Sequence, residues 1–294
     1  MKPLAYKTDF HIHTTVSDGT DTPEELVSKI KDMGLEAFSV TDHDAVLGCK
    51  RVADVLTGSD PMFLTGVEFN SRDEDGKYHI LGYGYDPDSQ SIQKIVNYGH
   101  DFRMRKLTGR LEFLEKEYGF TFSTEEVNGL RALDNPGKPH IANLMVSRGY
   151  AANKEEAIRK YIDNAHFSAK DYIRPETVIE GILGAGGIPV LAHPVYGSGD
   201  ELIIGEELDA RVRKLMSYGL LGLEGFYSGF TKVLGDEVLG LARKYDLLVS
   251  AGSDYHGRNK LVELGDTTIT DSTEIPKEMN AFLERISDLF TKVR

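Results

Sequence analysis

The chain has 294 residues, 40% hydrophobic and 28% charged, a soluble globular balance that suits one large domain or one domain carrying a smaller one. A net charge of −13 speaks against holding nucleic acid by bulk electrostatics, and no run approaches the ~20 apolar residues of a membrane helix. Cys49 is the sole cysteine, which excludes a disulfide framework and a thiolate metal cluster and fits a reducing cytoplasm, and MKPLAYKTDF at the start has no signal-peptide core.

In chain order, the first 90 residues alternate between strand and helix periods. FHIHT reads as a strand. Thr22, Pro23 and Glu25 then open a helix with a capping box, and Leu26, Val27, Ile30 and Met33 give it an apolar face that stops at Gly34. AFSVTDHD is an apolar run ending in charge, a helix spans roughly Ala45–Leu56, and MFLTGVEF and YHILGYGY read as two further strands. From residue 92 to 171 the pattern is helical, with no convincing strand, and this segment carries a net charge of +2 against −15 for the remainder. Alternation resumes at Arg174: a short helix, the strand IPVLAHP, the strand GLLGLEGFY, a helix over KVLGDEVLGLARKYD, the strand LLVSAGSDYH and an amphipathic helix over PKEMNAFLERISDLFTKV.

Seven strands with interleaved helices predict βα units, a mostly parallel sheet, and most economically an α/β distorted (β/α)7 barrel with a helical insertion after the fourth strand. The barrel would comprise residues 1–91 and 172–294, and residues 92–171 would form a substrate-capping insertion. An open doubly wound sheet is the alternative, but no glycine-rich phosphate turn follows the first strand.

His11 and His13 stand two apart on a strand and share a face, and Asp254 and His256 repeat that spacing at the last strand. His43, Glu68, His79 and His193 each lie in or at the end of a strand of their own, and Asp18 follows the first strand. The C-terminal strand ends of a parallel barrel form one mouth, so six histidines and three carboxylates are expected to converge there. Imidazole and carboxylate donors suit divalent zinc, manganese or iron, and nine of them suit two or three ions with Glu68 bridging a pair. A lone strand histidine pair is more often plain core. Six of the nine histidines at the same end of successive strands are not explained that way. Asp42 reads equally as a helix cap or a site residue. In the insertion His166 reads as structural, and His140 as a cap-region residue or a substrate contact. Arg103, Arg105 and Arg110 read as a solvated helix face, although Arg103 and Arg131 are also candidates for phosphate contact because the insertion is the only basic segment.

Together HIHTTVSDGT, FSVTDHD, GVEF, YHILGYGYD, PVLAHP and SAGSDYHG resemble the PHP (polymerase and histidinol phosphatase) family of metal-dependent phosphoesterases, from about residue 8 to residue 257. PHIANLMVSRGY in the insertion is similar to the subgroup of nucleoside 3′,5′-bisphosphate phosphatases and 5′-to-3′ RNA exonucleases, although Lys138 stands where that subgroup often has arginine. The resemblance implies three ions: one on His11, His13, Glu68 and Asp254; a second on Glu68, His79 and His193; a third on Asp18, His43 and His256. It implies manganese, iron or zinc, with magnesium also suitable, and a metal-held hydroxide attacking a phosphate monoester of a small nucleotide. His193 or Asp254 would position the attacking water, with Arg103, Arg131 and His140 toward the substrate. Short RNA is a further expected substrate, while long duplex nucleic acid and membranes are not expected partners. The rival readings are a histidinol-phosphate phosphatase and a non-catalytic metal- or nucleic-acid-binding module.

Overall fold

A computed structural model describes residues 5–133, 135–197 and 201–290. Strands β1 (Thr8–Ile12), β2 (Ala37–Val40), β3 (Met62–Arg72), β4 (Lys77–Tyr83), β5 (Ile188–Leu191), β6 (Gly222–Tyr227) and β7 (Leu248–Gly252) pair in chain order. β1, β2 and β5 are buried along their whole length; β2 and β5 accordingly read as nearly unbroken apolar runs, whereas β1 buries Thr8, Asp9 and His11 along with its apolar residues. The sheet curls until its edges meet: His13 N–H donates to the Tyr255 carbonyl and Asp254 N–H to the His11 carbonyl, both at 2.8 Å. The result is a nearly closed seven-stranded barrel.

One strand departs from the parallel expectation. β4 runs antiparallel to both β3 and β5, whereas every other neighbouring pair is parallel. Only Asp73–Gly76 separates β3 from β4, too short for the crossover a parallel pair needs, so the two strands form a hairpin.

The helices are α1 (Pro23–Met33), α2 (Leu47–Val55), α3 (Gln90–Tyr118), α4 (Thr124–Arg131), α5 (Lys138–Ser147), the single turn α6 (Lys154–Glu156), α7 (Pro175–Gly184), α8 (Gly205–Ser217), α9 (Lys232–Tyr245) and α10 (Lys277–Ile286). α1 carries the expected capping box, with Glu25 N–H on Thr22 Oγ1 and Thr22 N–H on Glu25, and ends at Gly34 with φ of 70°. α8 escaped the sequence reading; it supplies the crossover between β5 and β6. The C-terminal helix is shorter than its sequence pattern, and residues 291–293 of that pattern lie outside the described residues.

Between β4 and β5 the described residues form helices joined by turns and irregular loops, with no strand among them. α3 and α7 lie side by side against the barrel, and Gly181 and Gly184 leave room for Ile95 and Ser91 of α3. Leu107, Leu114, Ile141, Met145 and Ile162 bury one another in a small core of their own, apart from the barrel core.

Candidate metal centre

β1 carries His11, and His13 follows directly after it; both rings are completely buried. Asp18 lies in the loop that follows. That loop is pinned by Asp42, whose carboxylate accepts from Thr14 N–H (2.8 Å), Thr14 Oγ1 (2.7 Å) and Ser17 Oγ (2.7 Å). Asp42 therefore neither caps α2, whose N-cap Val46 has no side-chain bond, nor joins the ligand candidates. His43 follows β2, Glu68 stands on β3, His193 follows β5, and Asp254 and His256 follow β7. His79 is the exception to the expectation of C-terminal strand ends. It sits near the start of β4, opposite Asn70, and reaches the same mouth because its strand is reversed.

Glu68 is the centre of the cluster. Its Oε2 lies 3.3 Å from His11 Nε2, 3.2 Å from His13 Nε2 and 3.0 Å from His43 Nδ1, and its Oε1 lies 2.9 Å from His79 Nδ1 and 3.2 Å from His193 Nε2. Asp254 Oδ1 is 3.3 Å from His13 Nε2 and 3.5 Å from His11 Nε2. Asp18 Oδ1 is 3.3 Å from His256 Nε2, 3.8 Å from His13 Nδ1 and 3.9 Å from His43 Nε2.

Three sets bring one donor atom per residue within 4.8 Å of one another: His11, His13, Glu68 and Asp254; His13, Asp18, His43 and His256; and His43, Glu68 and His79. Eight of the nine expected ligand residues thus come together in these sets. His193 touches Glu68 but lies outside the three compact sets, and His43 stands between two of them. His11 Nε2, His13 Nε2, Asp18 Oδ1, Glu68 Oε2 and His79 Nδ1 are buried without a hydrogen-bond partner. Orphaned buried donors and acceptors on this scale are costly to fold around, so the residues fit divalent cations that would satisfy them.

The electrostatics agree. Burial pushes the Glu68 carboxyl up, but His43, His79 and His11 outweigh it and hold it well below its ordinary range. Asp18 is held down in the same way by His256 and His43, and Asp254 by Lys260 and His11. Burial pulls the His13 imidazole down, yet Asp254 and Glu68 raise it to about 9. His79 and His256, where burial prevails, fall to about 4. The backbone shares in the arrangement: Asp44, His193 and Asp254 adopt φ of 52°, 27° and 59°, left-handed conformations that non-glycine residues keep mainly where the surrounding structure enforces them.

Several site residues were missed in the sequence. Glu224 on β6 accepts His11 Nδ1–H at 2.9 Å with one oxygen and His193 N–H at 2.8 Å with the other, which leaves His11 Nε2 free to face the cluster. A charged residue in the middle of the apolar run GLEGFY was its signal. Asp9 ties β1 to the last strand by accepting from Ser253 Oγ (2.6 Å), Ser253 N–H (2.9 Å) and Gly265 N–H (2.9 Å). Gly252 has no alternative there, since a Cβ would stand 2.2 Å from His11 Cβ.

On the insertion side, Arg103 and Arg110 are buried rather than solvated, and Lys106 joins them on the same face of α3. Arg103 Nε donates to Asp44 Oδ2 at 2.8 Å, beside His43, and Asn135 donates to the His43 carbonyl. The Lys106 ammonium stands 4.5 Å from the Phe102 ring centroid and 5.1 Å from that of Tyr172. Burial pulls its pKa well down, and Arg103 and Arg110 add to the effect. His140 accepts Gly137 N–H at Nδ1, and burial pulls its pKa down against the opposing charge of Asp18. Arg131 is exposed at the end of α4, with no contact to the cluster among the described residues, and His166 is exposed too.

The PHP domain family matches residues 9–172, more than half of the chain. The chain belongs to the PHP family. A Haemophilus influenzae protein named 5′-3′ exoribonuclease is 26% identical over 277 residues, covering 93% of this chain and 98% of that one. A Chromobacterium violaceum 3′,5′-nucleoside bisphosphate phosphatase is 27% identical over 84% of this chain and 86% of its own. A Bifidobacterium adolescentis structure designated a metal-dependent phosphoesterase superposes with a TM-score of 0.78 at 30% identity, covering 97% of this chain and 98% of that one. This PHP protein is accordingly a metal-dependent hydrolase of phosphoesters, and among the described residues no helix is long and apolar enough to cross a membrane.

Proposed function

We propose that this PHP protein removes a phosphate from a small nucleotide that carries a second phosphate, such as a nucleoside 3′,5′-bisphosphate, and that it trims short RNA from the 5′ end by the same chemistry. The carrying observation is the juxtaposition of an imidazole–carboxylate cluster with buried cations on α3, joined through Asp44 and His43. The relatives named for nucleoside bisphosphates and RNA support the same substrate class.

His11, His13, Glu68 and Asp254 would hold one ion, Glu68, His79 and His193 a second, and Asp18, His43 and His256 a third, with manganese, iron or zinc suited to these donors. Such ions polarise the phosphoryl group and lower the pKa of water. The protein's own residues do the rest. Glu224 fixes the His11 ring, and the left-handed backbone at His193 and Asp254 turns these side chains into a cavity of about 270 Å³, where they position the attacking water. Arg103, with Lys106 behind it, clamps the second phosphate, His140 borders it from α5, and the helices of residues 92–171 cap the mouth and exclude bulk water. A long duplex is a poor substrate for this acidic barrel, and we place the protein in the cytoplasm, as its single buried thiol suits.

The test is phosphate release by manganese-loaded protein from nucleoside 3′,5′-bisphosphates, mononucleotides, short 5′-phosphorylated RNA and histidinol phosphate, with His11→Ala as control. Release from the bisphosphate that vanishes in the control is expected. Release from histidinol phosphate alone would overturn the substrate assignment and keep the chemistry.

A further inference from the structure

Lys260 lies four residues after His256 and, beyond its charge beside Asp254, has no part in the proposed chemistry. Its ammonium stands 2.5 Å from Asp254 Oδ2, and the Tyr227 hydroxyl donates to that same oxygen at 3.0 Å. The two oxygens of Asp254 are thus divided: Oδ1 faces His11 and His13, and Oδ2 takes the two outer donors. One carboxylate oxygen with two donors is redundantly held, and Tyr227 keeps it satisfied if Lys260 turns away.

Lys260 also lines the cavity of the metal centre, together with Glu68, His193, Tyr227 and Asp254, and its side chain is 42% exposed rather than packed. Among the described residues of that lining it is the only one with a fixed positive charge. An ammonium has three N–H donors, so the bond to Asp254 leaves two for another anion. Arg103 approaches the cluster beside Asp44 and His43, whereas Lys260 approaches it at Asp254. The cations therefore address two different edges of the site.

We propose that Lys260 is a contact for the reacting phosphoryl group, donating to one of its non-bridging oxygens while Tyr227 retains Asp254. The inference rests on the phosphoesterase reading and assigns Lys260 to the phosphate that is removed, as distinct from the one clamped by Arg103. Its ammonium neutralises charge that Glu68 and Asp254 would otherwise repel.

The experiment is titration of manganese-loaded protein with inorganic phosphate by calorimetry, alongside elemental analysis of manganese per chain, for wild type, Lys260→Gln and Lys260→Arg. The expected result is phosphate binding weaker by about 10- to 100-fold in Lys260→Gln, with manganese content unchanged and binding largely kept in Lys260→Arg. Unchanged phosphate affinity in Lys260→Gln overturns the proposal. A parallel loss of manganese overturns it too, since Lys260 would then only support Asp254. Failure of the broader reading is seen separately, as a wild-type protein that releases phosphate from no ester.

Discussion

Glu224 decides which nitrogen His11 offers to the cluster. Its carboxylate holds the Nδ1 proton, so Nε2 must face Glu68 and Asp254. Glu224→Gln, which keeps the shape and removes the charge, is expected to weaken metal binding about 10- to 100-fold in a competition titration, with the circular dichroism spectrum unchanged. Cys49 illustrates the opposite kind of residue. Burial pushes its thiol up to about 12 from an ordinary 9.0, and its Sγ sits between the Val40 and Gly66 carbonyls. The folded thiol stays protonated where the unfolded one ionises, so its contribution to stability is complete below pH 9.0 and shrinks as pH climbs toward about 12. A disulfide-exchange reagent at pH 8 is expected to find no reactive thiol in the native protein and one per chain in guanidinium. The ligand candidates were legible because most of them are polar residues in or beside successive apolar runs, so that their positions repeat along the chain. Glu224 and Asp9 were missed: the charge inside GLEGFY was a signal for Glu224 but names no partner, and the group that Asp9 holds, Ser253, lies more than two hundred positions away in the chain.

Among the elements, α3 combines two demands that conflict. Its apolar stripe packs on the barrel and on α7, while Arg103, Lys106 and Arg110 carry charge into buried positions. Of these Arg103 has a carboxylate partner in Asp44, whereas Lys106 rests against aromatic rings. A charge held in this way is desolvated at a cost. Lys106→Met is therefore expected to raise unfolding stability by about 1–3 kcal/mol in urea titration, while kcat/KM for a nucleoside bisphosphate drops about tenfold or more. Helical periodicity located α3 but could not show which way its charges point, since the groups that cover them, Tyr172 over Lys106, Phe167 over Arg110 and the loop at Gly137 beside Arg103, are all remote in sequence. The reversed direction of β4 escaped for a related reason. Strand periodicity is the same in both directions, and only the four-residue connection Asp73–Gly76 distinguishes a hairpin from a crossover.

At the scale of the whole molecule, the barrel closes around atoms that lack partners, so the ions are expected to act as structural ligands as well as reactive ones. An ion present at one hundred times its dissociation constant stabilises by about 2.7 kcal/mol per site. Chelation is accordingly expected to lower the melting temperature by roughly 5–10 °C, and manganese to restore it; a melting curve indifferent to chelator would contradict this. The reversed strand has an effect on this scale as well. β4 ends level with the beginning of β5, Tyr83 opposite Ile188, so the chain leaves and re-enters the barrel at the face away from the cluster. α3, 29 residues and about 43 Å long, climbs from that face to the mouth, and α7 descends beside it, with Ser91 against Gly184 at the foot. The segment between them is joined to the barrel by the chain at two neighbouring points at the base, and it meets the barrel again at the mouth, where Arg103 pairs with Asp44 and Asn135 donates to the His43 carbonyl. On the function proposed above, such a segment would behave as a cassette: splicing in another of different length or charge would leave the seven strands in place, so that bond-breaking and choice of substrate could diverge independently along the same barrel.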